Sequence, residues 1–146
     1  MTVETTQAEQ SASKELSGQE AFVCLLIAGA RSDGSVSPHE ANQIEHVVAG
    51  MKLFRGSSYE TRYATFAAAA ERIKQQGTDR VVQAAAAAVP KELAPTAFAL
   101  TVDLMLSDGR LTAAEQRFAD DLCRMLDVDR EMAAKIVDVL TVKNAG

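Results

Sequence analysis

Hydrophobic positions along the chain fall into two kinds of segment. In four stretches they recur every three or four residues on one stripe: Ile44, Val47, Val48 and Met51; Tyr59, Tyr63, Phe66, Ala70 and Ile73; Ala114, Phe118, Leu122 and Met125; Met132, Ile136, Val139 and Leu140. Stripes of this period belong to amphipathic helices that cover a core, and the Tyr59, Tyr63 and Phe66 stripe reads as core. Two other stretches, Phe22 to Ile27 and Phe98 to Val102, carry little polarity on any face, the pattern of helices enclosed by others. No segment alternates with strand period, so the expected fold is all-α.

Capping signals divide this pattern into seven helices. Ser17-x-x-Glu20, Ser37-x-x-Glu40, Ser57-x-x-Glu60 and Thr112-x-x-Glu115 have the form of capping boxes, in which the hydroxyl accepts a backbone N–H and the carboxylate returns to the cap's own N–H. Pro38 follows its cap directly, where a missing N–H costs nothing. These signals predict helices at 18–32, 38–52, 58–76, 78–89, 92–107, 113–126 and 129–141. Thr78 opens the fourth, Pro90 closes it, the fifth begins irregularly around Pro95, and Asp129 opens the last. Residues 1–16, rich in Thr, Gln, Glu and Ser, read as a flexible N-terminal tail, and 17–146 as one domain.

One pattern is written twice. Asp33-Gly34-Ser35-Val36-Ser37-Pro38-His39-Glu40 and Asp108-Gly109-Arg110-Leu111-Thr112-Ala113-Ala114-Glu115 each follow an apolar run, at a constant offset of 75 residues. A fixed offset of this kind marks a duplicated helix–loop–helix. The first and fifth helices are equivalents under it and are expected at the centre of a compact bundle with internal pseudo-twofold duplication.

Composition narrows the functional classes. The net charge is −5 and no basic stripe is present, which argues against nucleic acid as a partner. No apolar run reaches the roughly 20 residues of a membrane span, and no signal-peptide pattern opens the chain, so a cytoplasmic location is expected. Cys24 and Cys123 sit in apolar helical stretches and read as buried thiols in a reducing compartment. No Cys/His cluster has zinc spacing, no glycine-rich phosphate cradle exists, and no nucleophile has a base-and-orienter context. His39 and Glu40 are merely adjacent, and His46 lies seven residues on.

The recurring carboxylates are the candidate chemistry. Glu40 and Glu115 are explained by capping alone, and Gly34 and Gly109 by left-handed helix ends. Asp33 and Asp108 are explained less well, because an aspartate at a helix C-terminus faces the negative end of the dipole. Bonds to loop N–H groups, an arginine such as Arg31 or Arg110, or a divalent cation would each offset this. Hard oxygen ligands suit such a cation, and the candidate metal residues are Asp33, Glu40, Asp103, Asp108 and Glu115. Asp103 strengthens the second half, since its repeat equivalent is Ala28. The loops lack the EF-hand series, so turn-and-cap architecture and a cation site both stand as readings.

An enclosed helix followed by Asp-Gly-x-Val/Leu-Ser/Thr-x-x-Glu and a second helix, occurring twice, resembles the TerB-like family named for tellurite resistance. The resemblance runs from about Gly18 to Leu140 and is most specific at Ala28 to Glu40 and Asp103 to Glu115. Met125-Leu126-Asp127-Val128-Asp129 is similar to the junction before the family's last helix, with Asp127 where that pattern has Gly. The resemblance implies a compact pseudosymmetric helical fold, a role in bacterial responses to tellurite and other chemical stress, and metal binding by the repeated acidic residues. It implies no enzymatic reaction. It points to protein partners, including peripheral membrane-associated ones. The same fold serves as the N-terminal accessory module of membrane-anchored J-domain co-chaperones. A dedicated metal sensor or buffer is the alternative, and an enzyme with a site in the bundle core is the reading the residues favour least.

Overall fold

In the computed structural model, residues 16–30 and 36–146 are described, apart from the side chain of Asp108. Asp33, Gly34 and all but the last residue of the expected tail lie outside the described residues. Among those described there are seven α-helices and no strand: α1 Gly18–Ala30, α2 Pro38–Ala49, α3 Tyr59–Gln76, α4 Thr78–Ala88, α5 Ala94–Met105, α6 Ala113–Met125 and α7 Arg130–Lys143. Single 3₁₀ turns at Lys52–Phe54, Lys91–Leu93 and Leu106–Asp108 complete the order. The all-α expectation holds. Expected helix ends at 52 and 107 and the expected start at 92 fall in these tighter turns rather than in α-helix.

The two-sided apolar segments form the centre. All nine residues from Ala21 to Gly29 of α1 are buried, as are Ala94, Ala97, Phe98, Thr101, Val102 and Met105 of α5. α1 packs against α3, α4 and α5, and α5 packs also on α6 and α7. Gly29 permits the close approach of the two central helices, since a Cβ there would lie 2.8 Å from Thr101 Cγ2. Thr101, the one buried polar residue among those described, donates its hydroxyl to the Ala97 carbonyl at 2.8 Å. Leu16, at the edge of the expected tail, is buried in the same core.

Three of the four expected capping boxes form. Ser17, Ser37 and Thr112 each accept from the Glu three residues on at 3.1 Å, and each Glu takes the cap's N–H at 2.9 Å. The fourth is displaced by one residue. Ser58 caps α3 through the Thr61 N–H at 3.1 Å, while Ser57 donates to the Phe54 carbonyl at 2.6 Å and closes the preceding turn. Thr78 is likewise the first residue of α4, whose N-cap is Gly77 at φ +90° with no side-chain cap. Asp129 caps α7 as expected, through the Met132 N–H at 3.0 Å.

Two apolar stripes are less covered than their period implies. Tyr59 and Tyr63 are 60% and 59% exposed, so the expected core stripe fails at the two tyrosines, whereas Phe66 is partly buried against the core. The C-terminal half of α3 buries Ala69 and Ile73, whereas Tyr59 and Tyr63 in its first turns stand with Ala41 of α2 at the lining of a groove. In α7, Met132 and Val139 are exposed and the core face is Ala133 with Ile136, Val137 and Leu140. Apolar residues occur on nearly every side of α7, so the period alone did not select the face that meets α5. Ala114, expected on the covered stripe of α6, is also exposed.

Candidate functional site

Both copies of the repeated motif lead to one place. A cleft of about 210 Å³ is lined by Gly29 and Ala30 at the end of α1, His39, Glu40 and Gln43 in the first turns of α2, Leu104, Met105 and Ser107 at the end of α5, and Glu115 in the first turn of α6. Two helix C-termini and two N-termini therefore meet across it. The capping boxes fix the two carboxylates, because Oε1 of Glu40 accepts from the Ser37 N–H and Oε1 of Glu115 from the Thr112 N–H. An acidic residue in the first turn is also favoured by the helix dipole.

Glycine shapes the second loop. Gly109 has φ +114° and donates to the Leu106 carbonyl at 2.9 Å, which ends the 3₁₀ turn that prolongs α5. Only glycine adopts such a backbone without strain. Asp108 is the last residue of that turn. Its sequence counterpart Asp33 falls between Ala30, on the cleft wall, and Val36.

Asp103 is placed apart from Glu115. It lies in an adjoining cleft of about 350 Å³ that shares His39, Gln43, Leu104 and Ser107 with the first. There it receives Lys143 Nζ at 3.1 and 3.2 Å and Asn144 Nδ2 at 2.8 Å. Asn144 Nδ2 also donates to the Leu140 carbonyl at 2.9 Å, so this carboxylate ties the end of α7 to α5. Among the described residues no three His, Cys, Asp or Glu side chains come close enough to hold a metal ion. Of the five candidate ligands, the structure brings Glu40 and Glu115 to one cleft.

Sequence reasoning passed over the histidines. His39 lines both clefts and His46 the second, on the face of α2 that carries Gln43. The 39, 43, 46 spacing is the helical signal that could have placed them together. The cysteines contribute nothing to either cleft. Cys24 is free and buried, and burial pushes its thiol up from 9.0 to about 12. Burial also raises Cys123, whose Sγ donates to the Val128 carbonyl at 3.2 Å.

No described helix is long and apolar enough to cross a membrane. No curated protein and no solved structure matches the chain. Residues 19–137, from α1 into α7, match the family model described as tellurite resistance protein TerB, and the chain belongs to that family.

Proposed function

We propose that this chain is a non-enzymatic stress-response module of the TerB type, working in the cytoplasm through protein partners and binding a divalent cation at the cleft between its two repeated loops. The observation that carries the reading is the convergence of Glu40 and Glu115, the closing glutamates of the two repeated motifs, on one cleft. Capping uses Oε1 of each glutamate. Carboxylates are hard oxygen donors of the kind that Ca²⁺ or Mg²⁺ takes, and the sequence supplies Asp33 and Asp108 as candidate further ligands.

Calorimetric titration with Ca²⁺, Mg²⁺, Mn²⁺ and Zn²⁺ tests the cation part directly, paired with thermal melting. A ligand held only by the native state raises the melting temperature. The wild type is expected to melt higher in millimolar cation, and Asp33→Asn and Asp108→Asn to lose that rise. A wild type with no shift in any of the four metals would leave the loops as architecture and the function in partner contacts alone.

A further inference from the structure

A second groove, remote in role from the loop cleft, lies between α2 and α3. It encloses about 220 Å³ over Val23, with Ala41, Ile44 and Glu45 on one wall and Tyr59 and Tyr63 on the other. The two rings are tilted at 32° with centroids 6.2 Å apart. A cleft of about 730 Å³ between α6 and α7 is built from positions 75 residues later. Phe98 replaces Val23 on its floor, Asp120 replaces Glu45, and Ala134 and Asp138 stand where Tyr59 and Tyr63 do. The equivalent positions thus line a wider cleft with alanine and aspartate at the rim, where α6 and α7 pack less closely than α2 and α3. Tyrosine is not required at these positions for either pair of helices to border a groove.

The other large apolar side chains exposed among the described residues are Met132, Val139 and Val142, all on α7. Their spacing of seven and three residues sets them on one ridge. Met132 to Val139 spans seven residues, as do Ala41 to Val48 and Tyr59 to Phe66 along the two groove walls, about 10 Å in each case. Charge agrees with shape. Arg62 reaches only Oε1 of Glu45, from Nε and Nη2 at 2.8 Å, and Oε2 has no partner among the described residues. Lys135 lies between Met132 and Val139 on the ridge.

We propose that the α2–α3 groove receives the α7 ridge of a second copy of this chain, Met132 and Val139 seating against Tyr59 and Tyr63 and Lys135 facing Glu45. Groove and ridge are different surfaces of one molecule, so the contact is heterologous and propagates head to tail. A ridge this small buries less than the roughly 1,200 Å² of a standard interface, so association is weak and concentration-dependent. The inference is independent of cation binding at the loops.

Sedimentation of the full chain across roughly 10 µM to 1 mM, the range of weak interfaces, tests it. The average mass is expected to rise continuously above the 15.6 kDa monomer. Tyr63→Glu, lacking a groove, and Val139→Glu, lacking a ridge, should each remain monomeric while keeping wild-type helicity and melting. Mixed in equal amounts they should form a dimer and stop there, because one intact ridge then meets one intact groove. A wild type that stays monomeric throughout, a mass that levels off at the dimer, or a mixture that stays monomeric would each overturn the proposal. Monomeric wild type would leave the groove to a partner other than this chain.

Discussion

Cys123 and Val128 bond to each other twice. The Val128 N–H donates to the Cys123 carbonyl at 3.0 Å, and the Cys123 thiol donates to the Val128 carbonyl at 3.2 Å. Between them the Asp127 N–H reaches the Arg124 carbonyl at 3.1 Å with Asp127 at φ +56°. This is a Schellman motif, with an aspartate in the left-handed position that glycine usually fills. The geometry of the turn is therefore set by its hydrogen bonds, and Asp127 adopts it at a cost. Asp127→Gly is expected to stabilise the chain by about 0.5–1 kcal/mol, and Asp127→Val to destabilise it by about 1–3 kcal/mol. Urea unfolding of both variants measures the difference.

Caps are expected to separate neighbouring serines. Ser37→Ala, Thr112→Ala and Ser58→Ala should each cost about 0.5–2 kcal/mol, since each removes an acceptor from a helix N-terminus. At Ser57 the loss falls on the turn before α3, not on a helix start. Peptide-level hydrogen exchange distinguishes them: Ser58→Ala frays the first turn of α3, and Ser57→Ala leaves it protected.

The contact of Gly29 with Thr101 governs how closely α1 and α5 approach. Alanine in a helix interior is favoured over glycine by up to about 1 kcal/mol, but a Cβ 2.8 Å from Thr101 Cγ2 forces a shift. Overpacking of this sort costs about 1–3 kcal/mol, so Gly29→Ala is expected to destabilise on balance. Thr101→Ser removes the opposing methyl and keeps the hydroxyl bonded to Ala97. In a double-mutant cycle it should recover much of the loss, and additive effects would show that the two helices yield elsewhere.

Burial of Cys24 gives alkaline pH a defined effect. Its folded value is raised from 9.0 to about 12, chiefly by desolvation. The folded state therefore holds the proton more tightly than the unfolded one. The contribution is complete below pH 9 and is lost as pH rises toward 12. Denaturant unfolding in that window is expected to show a falling midpoint, with a smaller fall in Cys24→Ala. Under native conditions near neutral pH, thiol reagents should react with Cys24 only as fast as the chain opens.

Much of the architecture was legible because local signals and burial agreed. Apolarity on all sides of Phe22 to Ile27 can be satisfied only by enclosure, and the boxes at Ser17, Ser37 and Thr112 are closed within four residues. What was hidden depends on contacts between elements. Period shows that Tyr59, Tyr63 and Phe66 share a face, yet cannot show whether a neighbour covers it. In α7 the apolar residues admit more than one face, and α5 selects the one through Ala133. Ser57 and Ser58 offer equal hydroxyls, and the carbonyl of Phe54 decides between them. At the loop cleft, the repeat identified Glu40 and Glu115, but only the packing of α1, α2, α5 and α6 brings them and His39 to one cleft. The same packing sends Asp103 to Lys143 and Asn144 instead.

The enclosure of α1 makes it the chain's internal clock. Its amides from Ala21 to Gly29 meet water only when α3, α4 and α5 have all withdrawn, so their deuterium uptake reports opening of the whole molecule. α7 has Ala133 as its single fully buried residue and rests mainly on α5, and it can detach while α1 remains sealed. Exchange should therefore proceed inward from α7, with the protection of α1 equal to the global unfolding free energy.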